Sequence, residues 1–106
     1  MTHWSIEYIP EALEDLKSLD KGQRLQVLKA IEKVSANPLP NTEGGLGKPL
    51  GSHSGNNLTG YLKIKLLRLG LRVVYKVVRE NNVMRIIIIS VRDDEAVYKM
   101  AKERIK

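Results

Sequence analysis

The residues with the clearest chemical potential are cations in the alternating segments past the middle of the chain. Lys63 and Lys65 stand two apart in YLKIKLL at 61–67, so a strand carries both on one face, opposite Leu62, Ile64 and Leu66. Leu69-Gly70 makes a turn, and LRVVYKVV at 71–78 then returns antiparallel, bringing Arg72 opposite the first strand. Arg68 and Lys76 flank the group, Arg92 leaves the end of the next strand, and Tyr98 follows it. Cations so gathered can grip a phosphodiester and steady charge developing on it. Alternating lysines are also what a solvent-facing strand displays, and the residues alone leave both readings open.

Other chemistries find little support. No glycine-rich phosphate loop ending in Lys-Ser/Thr is present. His3 and His53 are isolated and read as surface residues, and Ser90 has no histidine partner in view. The absence of cysteine excludes disulfides, thiolate nucleophiles and cysteine-based zinc sites. Most carboxylates fall on helices beside Lys or Arg, as solvated faces do. No cofactor and no metal is expected. A net charge of +6 favours polyanionic partners, nucleic acid above all, though it also serves solubility. The opening MTHWSIEYIPEALEDL lacks the apolar core of a signal peptide, and IIIIS at 86–90 is too short to cross a bilayer, so a cytoplasmic protein is expected.

A chain of 106 residues suits a single domain over 1–106. HWSIEY at 3–8 reads as a strand, and Pro10 suits the first turn of a helix over 10–19 with Leu13, Leu16 and Leu19 in helical spacing. Asp20 is the expected N-cap of a second helix over 21–36, with Leu25, Leu28, Ile31 and Val34 on its apolar side. Asn37-Pro38 stops it. Residues 37–60, rich in Gly, Pro, Asn and Ser, read as one long loop anchored by Leu46 and Leu50. Glu80-Asn81-Asn82 separates the strand over 71–78 from VMRIIIISV at 83–91, which is apolar on both faces and therefore central. Asp93 or Asp94 caps a last helix whose apolar side holds Val97, Met100, Ala101 and Ile105. The expected fold is α+β, in the order β-α-α-β-β-β-α, with a helical hairpin on one face of a mainly antiparallel sheet and the other face partly open.

With these elements in place, the chain resembles the RelE-type toxins of the RelE/ParE superfamily. YLKIKLLRLGLRVVYKV at 61–77, IIISVRDDEAVY at 87–98 and the tail AKERIK carry the resemblance in the second half. IEYIPEALEDLKSLDKGQRLQVLKAIEKVSANP carries it in the first, and the loop at 39–58 is least similar. The combination Lys-x-Lys, Gly-x-Arg-x-x-Tyr and an Arg followed by Val-Tyr is specific when all three occur in order. Two departures stand out: RDDEAVY is shorter and more acidic than the basic stretch usual there, and Leu71 stands where many relatives have an aromatic.

The resemblance implies an endoribonuclease that enters the ribosomal A site, cleaves mRNA and is neutralised by a RelB-like antitoxin. The pair would also bind promoter DNA, mainly through the antitoxin. It implies a catalytic set of Lys63, Lys65, Arg72, Arg92 and Tyr98. Metal-independent RNA cleavage uses the 2′-hydroxyl as nucleophile on the adjacent phosphate and needs a base, cations for the phosphorane and an acid for the leaving 5′-oxygen. Lys65, helped by Lys63, would serve as base or anion stabiliser, its proton loosened by neighbouring cations. Arg72 would grip the phosphate, Arg92 assist the leaving oxygen, and Tyr98 stack on the base. Two other functions compete: a ParE-like toxin that poisons DNA gyrase without the cationic set, and a basic nucleic-acid-binding module without catalysis.

Overall fold

The computed structural model describes residues 4–53, 56–90 and 94–104. Strand β1 (Ser5–Tyr8) leads into helices α1 (Pro10–Lys17) and α2 (Lys21–Val34). Strands β2 (Lys48–His53), β3 (Asn56–Leu66), β4 (Leu71–Val78) and β5 (Val83–Ser90) follow, and helix α3 (Asp94–Arg104) closes the chain. The five strands form one sheet in the order β1-β5-β4-β3-β2, with β1 parallel to β5 and the other pairs antiparallel. Among the described residues no helix is long and apolar enough to cross a membrane.

Local chemistry sets the helical hairpin. Pro10 occupies the first turn of α1, where a missing N–H costs nothing. The Gln23 N–H donates to Asp20 Oδ1 at 2.8 Å and the Asp20 N–H donates to Gln23 Oε1 at 3.4 Å, a reciprocal capping box that starts α2. Arg24 then reaches back, donating to the carbonyls of Leu16, Lys17 and Leu19, so a cation closes the C-terminal end of α1. The buried stripe of α2 is Val27, Ile31 and Val34. Leu25 and Leu28, expected inside, are 52% and 37% exposed, because the helix is rotated to put Val27 on the sheet.

The hairpin covers one face of the sheet; α3 covers part of the other, which is otherwise open, as expected. The hairpin helices share one core with Leu62, Leu71, Val73, Tyr75, Met84 and Ile86. On the other face α3 buries Val97 and Ala101 against Val74, Ile87, Ile88 and Leu50. The isoleucine run at 86–89 therefore feeds two cores, as a central strand must.

The segment expected to be a loop throughout 37–60 is largely ordered structure. Residues 37–47 fold into a tight knot, with Leu46 N–H donating to Asn37 O, Gly47 N–H to Leu39 O and Asn41 N–H to Gly47 O. A Cβ on Gly45 would collide with the Leu39 backbone, and one on Gly47 with the Tyr75 hydroxyl, so only glycine fits at either position. The chain then forms the edge strand β2, tolerating Pro49 because an edge has a free side, with a register shift between Pro49 and Gly51. Leu50 anchors this region as expected, whereas Leu46 is 53% exposed and does not.

Tyr75 fastens the knot to the sheet: fully buried, it donates its hydroxyl to the Pro38 carbonyl at 2.7 Å. Tyr75→Phe is expected to cost about 1–2 kcal/mol in urea unfolding, because the carbonyl is left buried without a donor. Burial pushes the Tyr75 phenol well above its ordinary 10.0, so the folded chain holds that proton more tightly than the unfolded chain. Stability is thus intact below the ordinary value of 10.0 and is lost as pH rises beyond it. Tyr8 and Tyr61, also raised by burial, act in the same sense. Tyr75→Phe should flatten this alkaline loss; an unchanged slope would contradict the assignment.

Candidate functional site

Strand register decides whether the expected cations meet. Lys65 lies directly opposite Arg72 across β3 and β4, and Arg72 lies directly opposite Ser90 across β4 and β5. Opposed residues share a face, with Cα atoms roughly 4.5–5.5 Å apart. Lys63, two residues from Lys65, is on that face as well, about 7 Å along the strand. Leu62, Ile64 and Leu66 point the other way, into or against the hairpin core. Lys63, Lys65 and Arg72 therefore gather on one surface, the face that also carries α3.

The surroundings give the three different settings. Lys65 is exposed, while Lys63 and Arg72 are half-buried. Val74 and Ile88, in one row with Lys63, lie under α3, so the helix borders the cluster on that side. Behind Arg72 the alternate residues Val73 and Ile89 are buried, so the strand beneath the cluster is held by the core. Lys76 shares the face but stands four residues from Arg72, about 13 Å away, with Val74 between them. Its ammonium sits 5.6 Å from the centre of the Tyr61 ring, and Arg85 beside it pairs with Glu7 at 2.7 Å. Lys76 thus belongs to a second row and not to the cluster it was expected to flank. Arg68 lies exposed in the turn at the end of β3.

Two of the expected site residues stand apart from this comparison. Arg92 and Asp93 lie outside the described residues. Tyr98 falls in α3, directly after the buried Val97.

One cation escaped the sequence reading. Lys48 is directly opposite Lys63 across β2 and β3 and exposed. Among the described residues the face therefore carries three cross-strand pairs of like charge: Lys48 with Lys63, Lys65 with Arg72 and, in the second row, Lys76 with Arg85. Such pairs weaken a sheet, and the adjacency of the first two is what an anion-binding surface requires. Lys48 was invisible because β2 itself, with Pro49 and Gly51, lacks the alternation that marks a strand.

A helical hairpin on one face of a small mixed sheet, with a terminal helix on the other, is the fold of a RelE-type toxin. The Escherichia coli toxin RelE in the free state, carrying two arginine-to-alanine changes, matches with a TM-score of 0.74 at 25% identity, over 99% of this chain and 100% of its own. A chain of the intact E. coli RelBE toxin–antitoxin complex matches with a TM-score of 0.65 at 24% identity, over 85% of this chain and 98% of its own. An E. coli protein described as RelE-like toxin is 26% identical over 104 residues, 97% of this chain and 98% of its own length. The model of the ParE toxin of the type II toxin-antitoxin system parDE matches residues 6–98, and the chain belongs to that family, within the RelE/ParE superfamily.

Proposed function

We propose that the chain is a ribosome-dependent endoribonuclease that cuts mRNA by attack of a ribose 2′-hydroxyl on the adjacent phosphate, and that a protein antitoxin neutralises it. The observation that carries this reading is the register of Lys65 opposite Arg72 with Lys63 on the same face. Arg72, between two neighbouring strands, presents a planar fork of donors suited to two phosphate oxygens. Lys65, the exposed member, reaches the ribose side and takes the hydroxyl proton or steadies the anion as it forms. Lys63 and Lys48 add positive potential for the phosphorane. Arg92 assists the leaving 5′-oxygen and Tyr98 orients the base by stacking. The RelBE complex among the relatives supports a RelB-like antitoxin as partner.

The test uses purified ribosomes programmed with mRNA. Cleavage at one codon is expected, and a 2′-deoxy substitution at the cut site should abolish it while binding changes little. Cleavage of the 2′-deoxy substrate would refute the mechanism. The match to a ParE family favours a second reading, inhibition of DNA gyrase. A supercoiling assay separates the two: inhibition that survives loss of Lys65 and Arg72 would favour gyrase and exclude the cationic cluster as the working site.

A further inference from the structure

Two of the like-charge pairs stand on neighbouring rungs of the sheet, Lys65 with Arg72 and Lys48 with Lys63. Both lie on one face, and their centres are roughly 8 Å apart, two residues along β3 and one strand sideways. That is a little more than one step between successive phosphates of an extended single strand, and flexible lysine stems close the difference. The surroundings favour that diagonal for a strand whose scissile phosphate lies on Arg72. Val74 and Ile88, in the row of Lys63, are buried under α3. The row past them, Lys76 with Arg85, carries its own carboxylate, Glu7. Ser90, beyond Arg72, is buried. The diagonal instead leads over Lys63 to the exposed Lys48 on the edge strand β2. A lysine on an edge strand also blunts that edge against other chains, but Pro49 and the register shift beside it already do so. Opposite Lys63 it adds repulsion to the sheet, which a phosphate between the two ammonium groups turns into attraction.

We propose that Lys48 and Lys63 seat the phosphate next to the scissile one, so that the chain grips two successive phosphodiesters of a single strand; that the strand is RNA rests on the ribonuclease reading above. Lys63 stands between the two rungs, and its charge reaches the scissile phosphate as well. Lys48 touches no reacting atom. It captures the strand and sets its line across the sheet, so its loss weakens binding and spares the saturated rate.

The binding probe is a uridine trinucleotide, 2′-deoxy at both cuttable positions, titrated into the isotope-labelled chain. Its two linkages are made neutral one at a time as methylphosphonates. With both charges present, amide shifts are expected at Lys48, Lys63, Lys65 and Arg72. One neutral version should lose the shifts at Lys48 and keep those at Arg72. Lys48→Gln should weaken binding of the fully charged trinucleotide about threefold to fivefold and reduce its salt slope by about one. It should leave binding of that neutral version unchanged. On programmed ribosomes Lys48→Gln should raise the half-saturating toxin concentration by a similar factor, with the saturated rate within about twofold of the parent. A neutral linkage on one side of the cut should erase the difference between parent and variant. The Tm of Lys48→Gln should equal or exceed the parent's, because a repulsive pair is relieved. Lys48→Glu should raise it further and bind worse still. An equal loss with every linkage pattern, a Tm lowered in both variants, or a trinucleotide that leaves Lys48 unmoved would overturn the proposal. A chain that shows the coupling with the trinucleotide but cuts no mRNA keeps the two-phosphate site and loses the ribonuclease reading. A chain that cuts mRNA while Lys48→Gln ignores both neutral linkages does the reverse.

Discussion

Arg72→Ala is expected to lower ribosome-dependent mRNA cleavage by about 10²–10³-fold, and Lys65→Ala by a similar factor. The size of the loss separates two roles. A cation that only attracts RNA contributes through counterion release, so its removal reduces the salt slope of binding by about one and is overcome by raising the protein concentration. A cation that stabilises the transition state lowers the rate at saturation, and concentration does not restore it. Arg72 stands directly between Lys65 and Ser90 on adjoining strands, over a core-backed stretch of β4. Its place is therefore fixed before substrate arrives, which is the condition for a transition-state contact. Arg72→Lys should recover only part of the rate, because a point charge cannot reproduce the two parallel bonds of a guanidinium. The measurement is single-turnover cleavage at saturating toxin, with thermal melts as a folding control. A saturating rate within about threefold of the parent would remove Arg72 from the mechanism.

This site was unevenly legible in the amino-acid sequence. Period-two alternation on both sides of Leu69-Gly70 was enough to put Arg72 opposite the strand that carries Lys63 and Lys65, and the register then sets Lys65 as its direct partner. Alternation failed where backbone constraints replace it. The strand containing Lys48 is broken by Pro49 and Gly51, and a sheet edge tolerates both. The second helix misled in another way: leucine spacing suggested Leu25 and Leu28, but burial follows the contact with the sheet, and that selects Val27. Leu25 and Leu28 are ordinary helix formers at the surface, where hydrophobicity alone says nothing about orientation. Tyr75 gave no sign that its hydroxyl would hold the Pro38 carbonyl, because that bond spans 37 positions.

The least legible feature is also the one with the largest expected effect on stability. Strand β5 outruns β1: their pairing ends at Tyr8 opposite Ile86, and the chain then turns into α1. The outer edge of β5 past that point would expose unmet backbone groups. Asp15 accepts from the Ile89 N–H at 3.1 Å, and Arg104 donates to the Ile87 carbonyl at 2.9 Å. The two side chains also meet each other, at 2.6 and 3.2 Å, and are only 17% and 16% exposed. This pair substitutes for the missing strand and fastens α3 to α1 across 89 positions of sequence. Arg104→Ala leaves a nearly buried carboxylate with one backbone donor, frees the Ile87 carbonyl and unties α3. A loss of about 3 kcal/mol is expected, toward the lower end for breaking a buried pair because some solvent reaches it. For a chain of this size that is roughly a 10–20 °C drop in Tm. Arg79→Ala supplies the contrast, since it breaks an exposed two-bond pair with Glu43 and should leave Tm nearly unchanged. A double-mutant cycle with Asp15→Ala should show strong coupling to Arg104, because each side chain loses most of its purpose without the other. Additive losses, or an Arg104→Ala melt within a few degrees of the parent, would mean that α3 is held by Val97 and Ala101 alone and that the edge of β5 needs no cap.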